Sequence, residues 1–374
     1  MKKIYLDNAS TTALRDEVIE EMVAVLKNDY GNPSSTHSFG RNAKTIIELS
    51  RKKIAAILGC SAQEILFTSG GTEGDNMILR SAVVNLKVER IITSKIEHHA
   101  VLHTVLALEN QYNIQVQYVK VLPNGSIDLT HLAQLLSDQK KTLVSLMHVN
   151  NETGVVLDLQ RVGQICKQSK AYFHSDTVQS IGKMVFDLQN LSVDFMVASA
   201  HKFHGPKGIG FVYIRKNSGL QPLLFGGEQE KGLRAGTEAV HQIAGMSKAL
   251  ELAILHLEEE KKHIENLKEY LISQLNAYFP GYKINGKKED FYPILNITFP
   301  FPANKTAMIL FNLDMKGIAV SRGSACQSGS VRPSHVLQEM LTEEELKLPN
   351  LRITFSHFNT KEDVDDLIAA LKTI

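Results

Sequence analysis

Short apolar runs recur along the first two thirds of the chain, and each is followed by the spacing of an amphipathic helix. Glu64-Ile65-Leu66-Phe67-Thr68 gives way to a helical pattern from Thr72, and that to Arg90-Ile91-Ile92-Thr93. Neighbouring strands that run parallel need a crossover of about a dozen residues or more, which a helix supplies, so this rhythm predicts an α/β sheet. Residues 142–147, 171–175 and 194–198 read as strands buried on both faces, with polar residues at their ends. A long helical pattern then covers roughly residues 238–278, with a charged run at 258–263 in its middle, and is expected to bridge two domains. Residues 293–299, 317–320 and 351–354 predict further strands in a smaller α+β domain. The expected division is 15–250 for the large domain and 1–14 with 251–374 for the small one. A chain of 374 residues, 43% hydrophobic, can bury cores of that size.

Charge and cysteine content narrow the function classes. Lysine plus arginine (41) nearly cancels aspartate plus glutamate (40), which gives no general electrostatic reason to expect nucleic acid or an anionic membrane as a direct partner. Cys60, Cys166 and Cys326 lack the spacing of a disulfide framework or of a Cys-x-x-Cys metal site, which suits a reducing compartment. The N-terminal MKKIYLDNAS has no apolar stretch long enough for a signal peptide, and no later segment reaches membrane-spanning length, so a cytoplasmic protein is expected.

The segment Ala198-Ser199-Ala200-His201-Lys202 follows an apolar strand and leads to Gly205-Pro206-Lys207-Gly208. A lysine whose surroundings lower its pKa can form a Schiff base, and a pyridoxal cofactor held there serves as an electron sink. Alone, Lys202 is an ordinary lysine beside a glycine turn. Asp176, however, stands at the end of another predicted strand, where ligands meet open α/β sheets, and its carboxylate could keep a pyridine nitrogen protonated. Gln179 and Ser199 lie on the same two connections. Thr68-Ser69-Gly70-Gly71-Thr72-Glu73 supplies a strand, a glycine turn and a helix start, which favour a phosphate. It lacks the Gly-Lys-Ser/Thr of a nucleotide-binding P-loop.

His98, His99 and His103 form a cluster in which His99 and His103 share a helix face. No cysteine or carboxylate stands nearby at a matching spacing, so no metal site is expected. Cys326 sits in Ser321-Arg322-Gly323-Ser324-Ala325-Cys326-Gln327-Ser328-Gly329-Ser330, small and polar throughout, with Arg322 and Arg332 available to favour its thiolate. Such a thiol is expected to be reactive. Cys166, inside a helical pattern, is expected to be packed and inert, and Cys60, at a helix end, is undecided.

Taken together, Tyr5-Leu6-Asp7-Asn8-Ala9-Ser10-Thr11-Thr12, Gly31-Asn32-Pro33-Ser34-Ser35, Met147-His148-Val149-Asn150-Asn151-Glu152, Ala200-His201-Lys202 and Gly323-Ser324-Ala325-Cys326 resemble, in order and over nearly the full chain, the cysteine desulfurases. The resemblance implies a fold type I pyridoxal 5'-phosphate (PLP) transferase with a mixed, mostly parallel seven-stranded sheet, working as a homodimer. It assigns Lys202 to the covalent link with the cofactor and to proton transfer, and His98 to stacking on the ring. Asp176 would pair with the ring nitrogen and Gln179 with the phenolic oxygen, and Asn151 would lie near cofactor and substrate. Gly71, Thr72, Ser199 and His201 would hold the phosphate, joined by Thr237 from the partner subunit. Arg352 would bind the substrate carboxylate, with Asn32 also on the substrate side, and Cys326 would receive the sulfur.

This sequence departs from the family pattern at Gly74, where serine is usual, and at Glu228, which interrupts a glycine triplet at Gly226-Gly227. It also ends soon after its last helical pattern, whereas members that feed an iron–sulfur scaffold often extend further. The expected reaction converts L-cysteine to L-alanine and leaves a persulfide on Cys326 for an acceptor protein, either an iron–sulfur scaffold or a tRNA-thiolation enzyme. A selenocysteine lyase or an aminotransferase on the same fold is the alternative, and a reactive Cys326 speaks against the aminotransferase.

Overall fold

A computed structural model describes residues 2–138, 140–323 and 334–374. The chain enters through the short strand β1 (Ile4–Tyr5) and then builds the large sheet from β2 (Ile65–Thr68), β3 (Arg90–Thr93), β4 (Gln115–Tyr118), β5 (Thr142–Ser145), β6 (Tyr172–Asp176), β7 (Phe195–Ser199) and β8 (Gly210–Ile214). Their order is β2-β8-β7-β6-β5-β3-β4. Pairing is parallel from β7 through β4, while β8 runs antiparallel to both β2 and β7. The α/β reading of the sequence and the mixed, mostly parallel seven-stranded sheet are thus both found.

The apolar runs form strands because helices cover both faces of the sheet. On one face Phe67, Val144, Phe173 and Met196 join a cluster with Ile47, Ile54 and Leu250 from helices. On the other, Leu66, Ile91, Leu143 and Val197 pack with Ile78, Leu79, Val101 and Val105. A third cluster gathers Leu6 with Leu271, Leu295, Ile353 and Leu367 around β9 (Lys283–Ile284), β10 (Ile294–Thr298) and β12 (Asn350–Thr354), which form a three-stranded antiparallel sheet. Beside that sheet, β1 pairs in parallel with β11 (Ile318–Ala319).

The long helix expected over residues 238–278 is two helices, Val240–Leu255 and Leu257–Tyr278, separated at His256 (φ −100°, ψ 8°). Packing explains the break. The first helix buries Ile243, Ala244 and Leu250 in the core under the large sheet, and the second buries Ile264, Leu267 and Leu271 in the small-sheet core. A single straight helix presents one continuous apolar stripe and cannot serve two cores on different sides.

Gly74, the first departure from the family pattern, lies in the helix Gly71–Val84 where that helix rests on the sheet. A Cβ there would stand 2.8 Å from Val197 Cγ1 and 2.9 Å from Val212 Cγ2, so the two strand valines occupy the room that a serine needs. Glu228, the second departure, is exposed just before a short 3-10 turn. Gly74→Ser should therefore destabilise the fold by about 1–3 kcal/mol through overpacking. In a Val197→Ala background the loss should shrink, because the two sites share one contact. Denaturant unfolding of the four proteins in this cycle measures the coupling, and additive effects would contradict the packing account.

Candidate active site

Ligands of open α/β sheets bind outside the carboxyl ends of the strands. Those ends converge here on a cavity of about 590 Å³. The turn after β2 brings Ser69, Gly70 and Gly71; the connection after β3 brings His98; the one after β5 brings Met147 and Asn151. β6 ends on Asp176 and leads to Gln179, and β7 ends on Ser199 and leads to His201 and Lys202. Ala9, Ser10 and Thr11 of the N-terminal segment form another wall, and Arg352 reaches in from β12.

Lys202 is held by that N-terminal segment: its Nζ donates to the carbonyls of Ala9 (2.7 Å) and Ser10 (2.8 Å). Gln179 Nε2 donates to the same Ala9 carbonyl at 2.9 Å, and its buried Oε1 has no hydrogen-bond partner among the described residues. Asp176 accepts from the Val178 amide at 2.9 Å. Burial raises its carboxyl above the usual range, and His98, the Val178 amide and Lys202 pull it back. His98 caps the helix His99–Tyr112 by accepting from the Ala100 amide at 3.2 Å, and burial lowers its pKa, which keeps the ring neutral. His201 falls to about 4 through burial and the charges of Lys202, Lys207 and Lys183.

At the opposite end of the cavity the helix Gly71–Val84 begins at Gly70, whose φ of 149° suits a residue without a side chain. No side chain caps this N-terminus, so its first amides remain available to an anion. Arg352 is 1% exposed. It donates from Nη1 to the Asn151 carbonyl (2.7 Å) and from Nη2 to Asp7 Oδ1 (2.8 Å) and Ser10 Oγ (2.7 Å). Its buried Nε has no partner among the described residues.

The fold therefore gathers Gly71, Thr72, His98, Asn151, Asp176, Gln179, Ser199, His201, Lys202 and Arg352 around one cavity. Asn32 and Thr237 lie elsewhere: both are exposed, and neither lines this chain's cavity. Cys326 and Arg332 lie outside the described residues. Cys166 is buried, and its thiol is pushed up by burial; half-buried Cys60 is pushed up as well, to about 12. His99 and His103 do share a helix face, with stacked rings 4.8 Å apart, and His335 joins them at 4.6 Å from His99. Three buried groups escaped the sequence reading. Asp75 sits one turn into the helix Gly71–Val84, Glu97 next to His98, and His174 two residues before Asp176. The Glu97 carboxylate accepts from Ser94 Oγ (2.6 Å) and from the Met147 amide (2.9 Å). Polar residues one to three positions from a predicted site residue were the available signal.

Comparison with known proteins identifies the class of this site. The family described as Aminotransferase class-V matches residues 4–367. The chain belongs to that family. It is 43% identical to the cysteine desulfurase IscS of Dictyoglomus turgidum over 100% of this chain and 94% of the relative. A solved NifS-like protein superposes with a TM-score of 0.91 at 37% identity, covering 100% of this chain and 99% of the other. A NifS-like protein from Rickettsia africae gives 0.87 at 35% identity, covering 100% and 99%. Within the class-V family, the chain is a member of the cysteine desulfurases.

Enzymes of this family use PLP, and the residues present fit it. An uncapped helix N-terminus with Ser199 and His201 beside it suits the phosphate, and buried Asp176 suits a cationic ring nitrogen. Gln179, whose amide keeps one N–H beyond that given to Ala9, suits the phenolic oxygen, and Lys202 reaches the same space.

Burial raises the Glu97 carboxyl from 4.5 to about 8, outweighing the hydrogen bonds that lower it. The folded state thus holds a proton that the unfolded state releases, so stability falls as pH rises from about 4.5 to about 8. Glu97→Gln should flatten this part of the decline in the cofactor-free protein. Urea midpoints across that range test it, and an unchanged slope would show that Glu97 is ionised throughout.

Proposed function

We propose that this chain is a PLP-dependent cysteine desulfurase that converts L-cysteine to L-alanine and holds the released sulfur as a persulfide on Cys326. The observation that carries this reading is the convergence of Lys202, Asp176, Gln179 and an uncapped helix N-terminus on one cavity that Arg352 also enters. When bound, PLP supplies an electron sink that stabilises negative charge on the carbon next to the amino group.

The chain's own residues do the rest. Lys202 would hold the cofactor covalently, and its Nζ would carry the proton taken from the substrate's α-carbon. The carbonyls of Ala9 and Ser10 fix its Nζ over the cavity in the cofactor-free chain. Arg352 binds the substrate carboxylate; its Nε, without a partner among the described residues, supplies one donor, and a second is released when the substrate displaces Asp7. The Cys326 thiolate attacks the substrate sulfur, and the carbon–sulfur bond breaks with its electron pair going to carbon. Protonation of that carbon gives alanine, while the persulfide waits for an acceptor protein, an iron–sulfur scaffold or a tRNA-thiolation enzyme.

The working unit is a homodimer in which Thr237, and with it the segment around Gly226-Gly227-Glu228, serves the neighbouring subunit's phosphate site; exposure of Thr237 outside its own cavity supports this. Asn32 approaches the substrate across the same boundary. The large cofactor-binding domain spans 15–250, and the small domain, with the Cys326 loop, spans 1–14 and 251–374. The enzyme is cytoplasmic, in keeping with a near-neutral charge balance and, among the described residues, no helix long and apolar enough to cross a membrane.

Lys202→Ala should abolish the borohydride-reducible link to the cofactor; peptide mapping that finds the cofactor on another lysine would sink the assignment. Cys326→Ala should bind cofactor and change its absorbance on adding L-cysteine, yet form alanine at least about a hundredfold more slowly, as expected when the group that acts on the reacting atom is removed. Cys60→Ala and Cys166→Ala should turn over normally, because burial holds both thiols protonated. Alanine formation that survives in Cys326→Ala but not in Cys60→Ala would move the nucleophile.

A further inference from the structure

Behind Asp176 lies a pair of side chains with no role in the reading so far. Asp75 is 1% exposed and His174 is 0% exposed, and Asp75 Oδ1 lies 3.4 Å from His174 Nε2. Neither atom has a hydrogen-bond partner among the described residues. On the far side of the ring, His174 Nδ1 lies 2.9 Å from Ser145 Oγ. Two buried polar atoms facing one another remain unsatisfied unless a proton lies between them.

The location of that proton matters for the cavity. Asp75, His98 and Asp176 each present an atom within 4.8 Å of the other two, so a charge on Asp75 acts directly on Asp176. Glu97 is the remaining acid that acts on Asp75, and its own oxygens are occupied by Ser94 and the Met147 amide. Carboxylates this close in a water-poor site repel, and one of them keeps its proton. Burial, reinforced by Asp176 and Glu97, pushes the Asp75 carboxyl well above its usual range. Burial also pushes His174 down to about 3, so the imidazole does not take the proton for itself.

We propose that Asp75 is a positioning residue that remains a neutral carboxylic acid, donating to His174 Nε2 while His174 Nδ1–H donates to Ser145 Oγ. Asp176 is then left as the carboxylate that faces the cofactor. This deepens, and rests on, the reading of Asp176 as partner of the ring nitrogen. Asp75 presents an oxygen within 4.8 Å of one on Asp176, so a negative charge there raises the proton affinity of Asp176. The proton would then settle on the carboxylate and the electron sink would weaken. A neutral Asp75 prevents this, and its bond through His174 to Ser145 on β5 fixes it in place.

Infrared difference spectroscopy on the cofactor-free protein at neutral pH tests the protonation state directly. Wild type should show, beside the C=O stretch of protonated Glu97, a second buried carboxylic-acid component that is absent in Asp75→Asn and displaced in Asp75→Glu. A wild-type spectrum with no carboxylic-acid component that responds to substitution of Asp75 overturns the proposal, and if the asparagine variant does not fold, comparison of wild type with Asp75→Glu still decides. Cofactor affinity, followed by fluorescence titration, supplies the second arm. Asp75→Asn keeps a neutral donor toward His174 and should bind cofactor within about threefold of wild type, well under one pKa unit of interaction, whereas Asp75→Ala should bind about tenfold more weakly. A loss of tenfold or more in Asp75→Asn shows that the charge of Asp75 is used, and overturns the proposal. Asp176→Ala separates the two readings: unchanged cofactor affinity in that variant sinks the ring-nitrogen role, and the positioning role with it, while the infrared component that Asp75→Asn removes continues to report Asp75.

Discussion

The N-terminal segment that follows β1 ties the two cores together through hydrogen bonds, and the site depends on it. Asn8 Nδ2 donates to the Thr354 carbonyl (2.8 Å) and to Asn359 Oδ1 (3.2 Å), which fastens the segment to the small sheet. The Ala9 carbonyl then receives both Lys202 Nζ and Gln179 Nε2, and Thr12 bonds to the backbone of His201 and of His204. Each bond is buried or partly buried, so leaving one unmade costs about 1–3 kcal/mol for the stranded group. The segment forms no strand of its own beyond the bridge of Asp7 to Thr354, yet it sets where the lysine, the glutamine and, through Asp7 and Ser10, the arginine stand relative to one another.

A second ion pair anchors the opposite wall. Arg51 pairs with Glu230 through two bonds of 2.7 Å, both side chains are almost wholly buried, and Glu230 also accepts from the Phe67 amide. Glu230 and Lys231 adopt positive φ of 47° and 60°, an unfavourable conformation for residues with side chains, which this buried pair holds in place. Arg234 forks onto Glu73, itself bonded to the Ser69 amide, so residues 230–234 are tied to the glycine turn that opens the helix Gly71–Val84. Breaking one partner of a buried pair strands the other charge, so these links act mainly to define one arrangement of the segment leading to Thr237.

The electrostatics of the cavity follow from burial more than from charge balance. Asp75, Glu97 and Asp176 are all raised, and His98, His174 and His201 all lowered, each with desolvation as the largest cause. Without cofactor, the interior therefore favours neutral side chains. A bound cation at the ring end and a bound anion at the helix end are the groups that can restore ionisation where it is useful, which links cofactor binding to the charge state of Asp176.

The sequence by itself determined the α/β class, because a rhythm of short apolar runs and helical patterns admits few other folds. It also pointed to strand ends as the place of the cavity, because an open parallel sheet binds ligands there whatever its strand order. Lys202, Asp176 and Gly71 were legible for that reason. Asp75, Glu97 and His174 were not, since a polar residue that is to be fully buried looks like any other polar residue until packing removes its water. Tertiary structure alone decided the strand order, the break at His256 and the room taken from Gly74 by Val197 and Val212. It also decided that residues 345 apart, Asp7 and Arg352, would form one charged pair. Contacts of that kind depend on how separately folded layers meet, and local periodicity carries no record of that meeting.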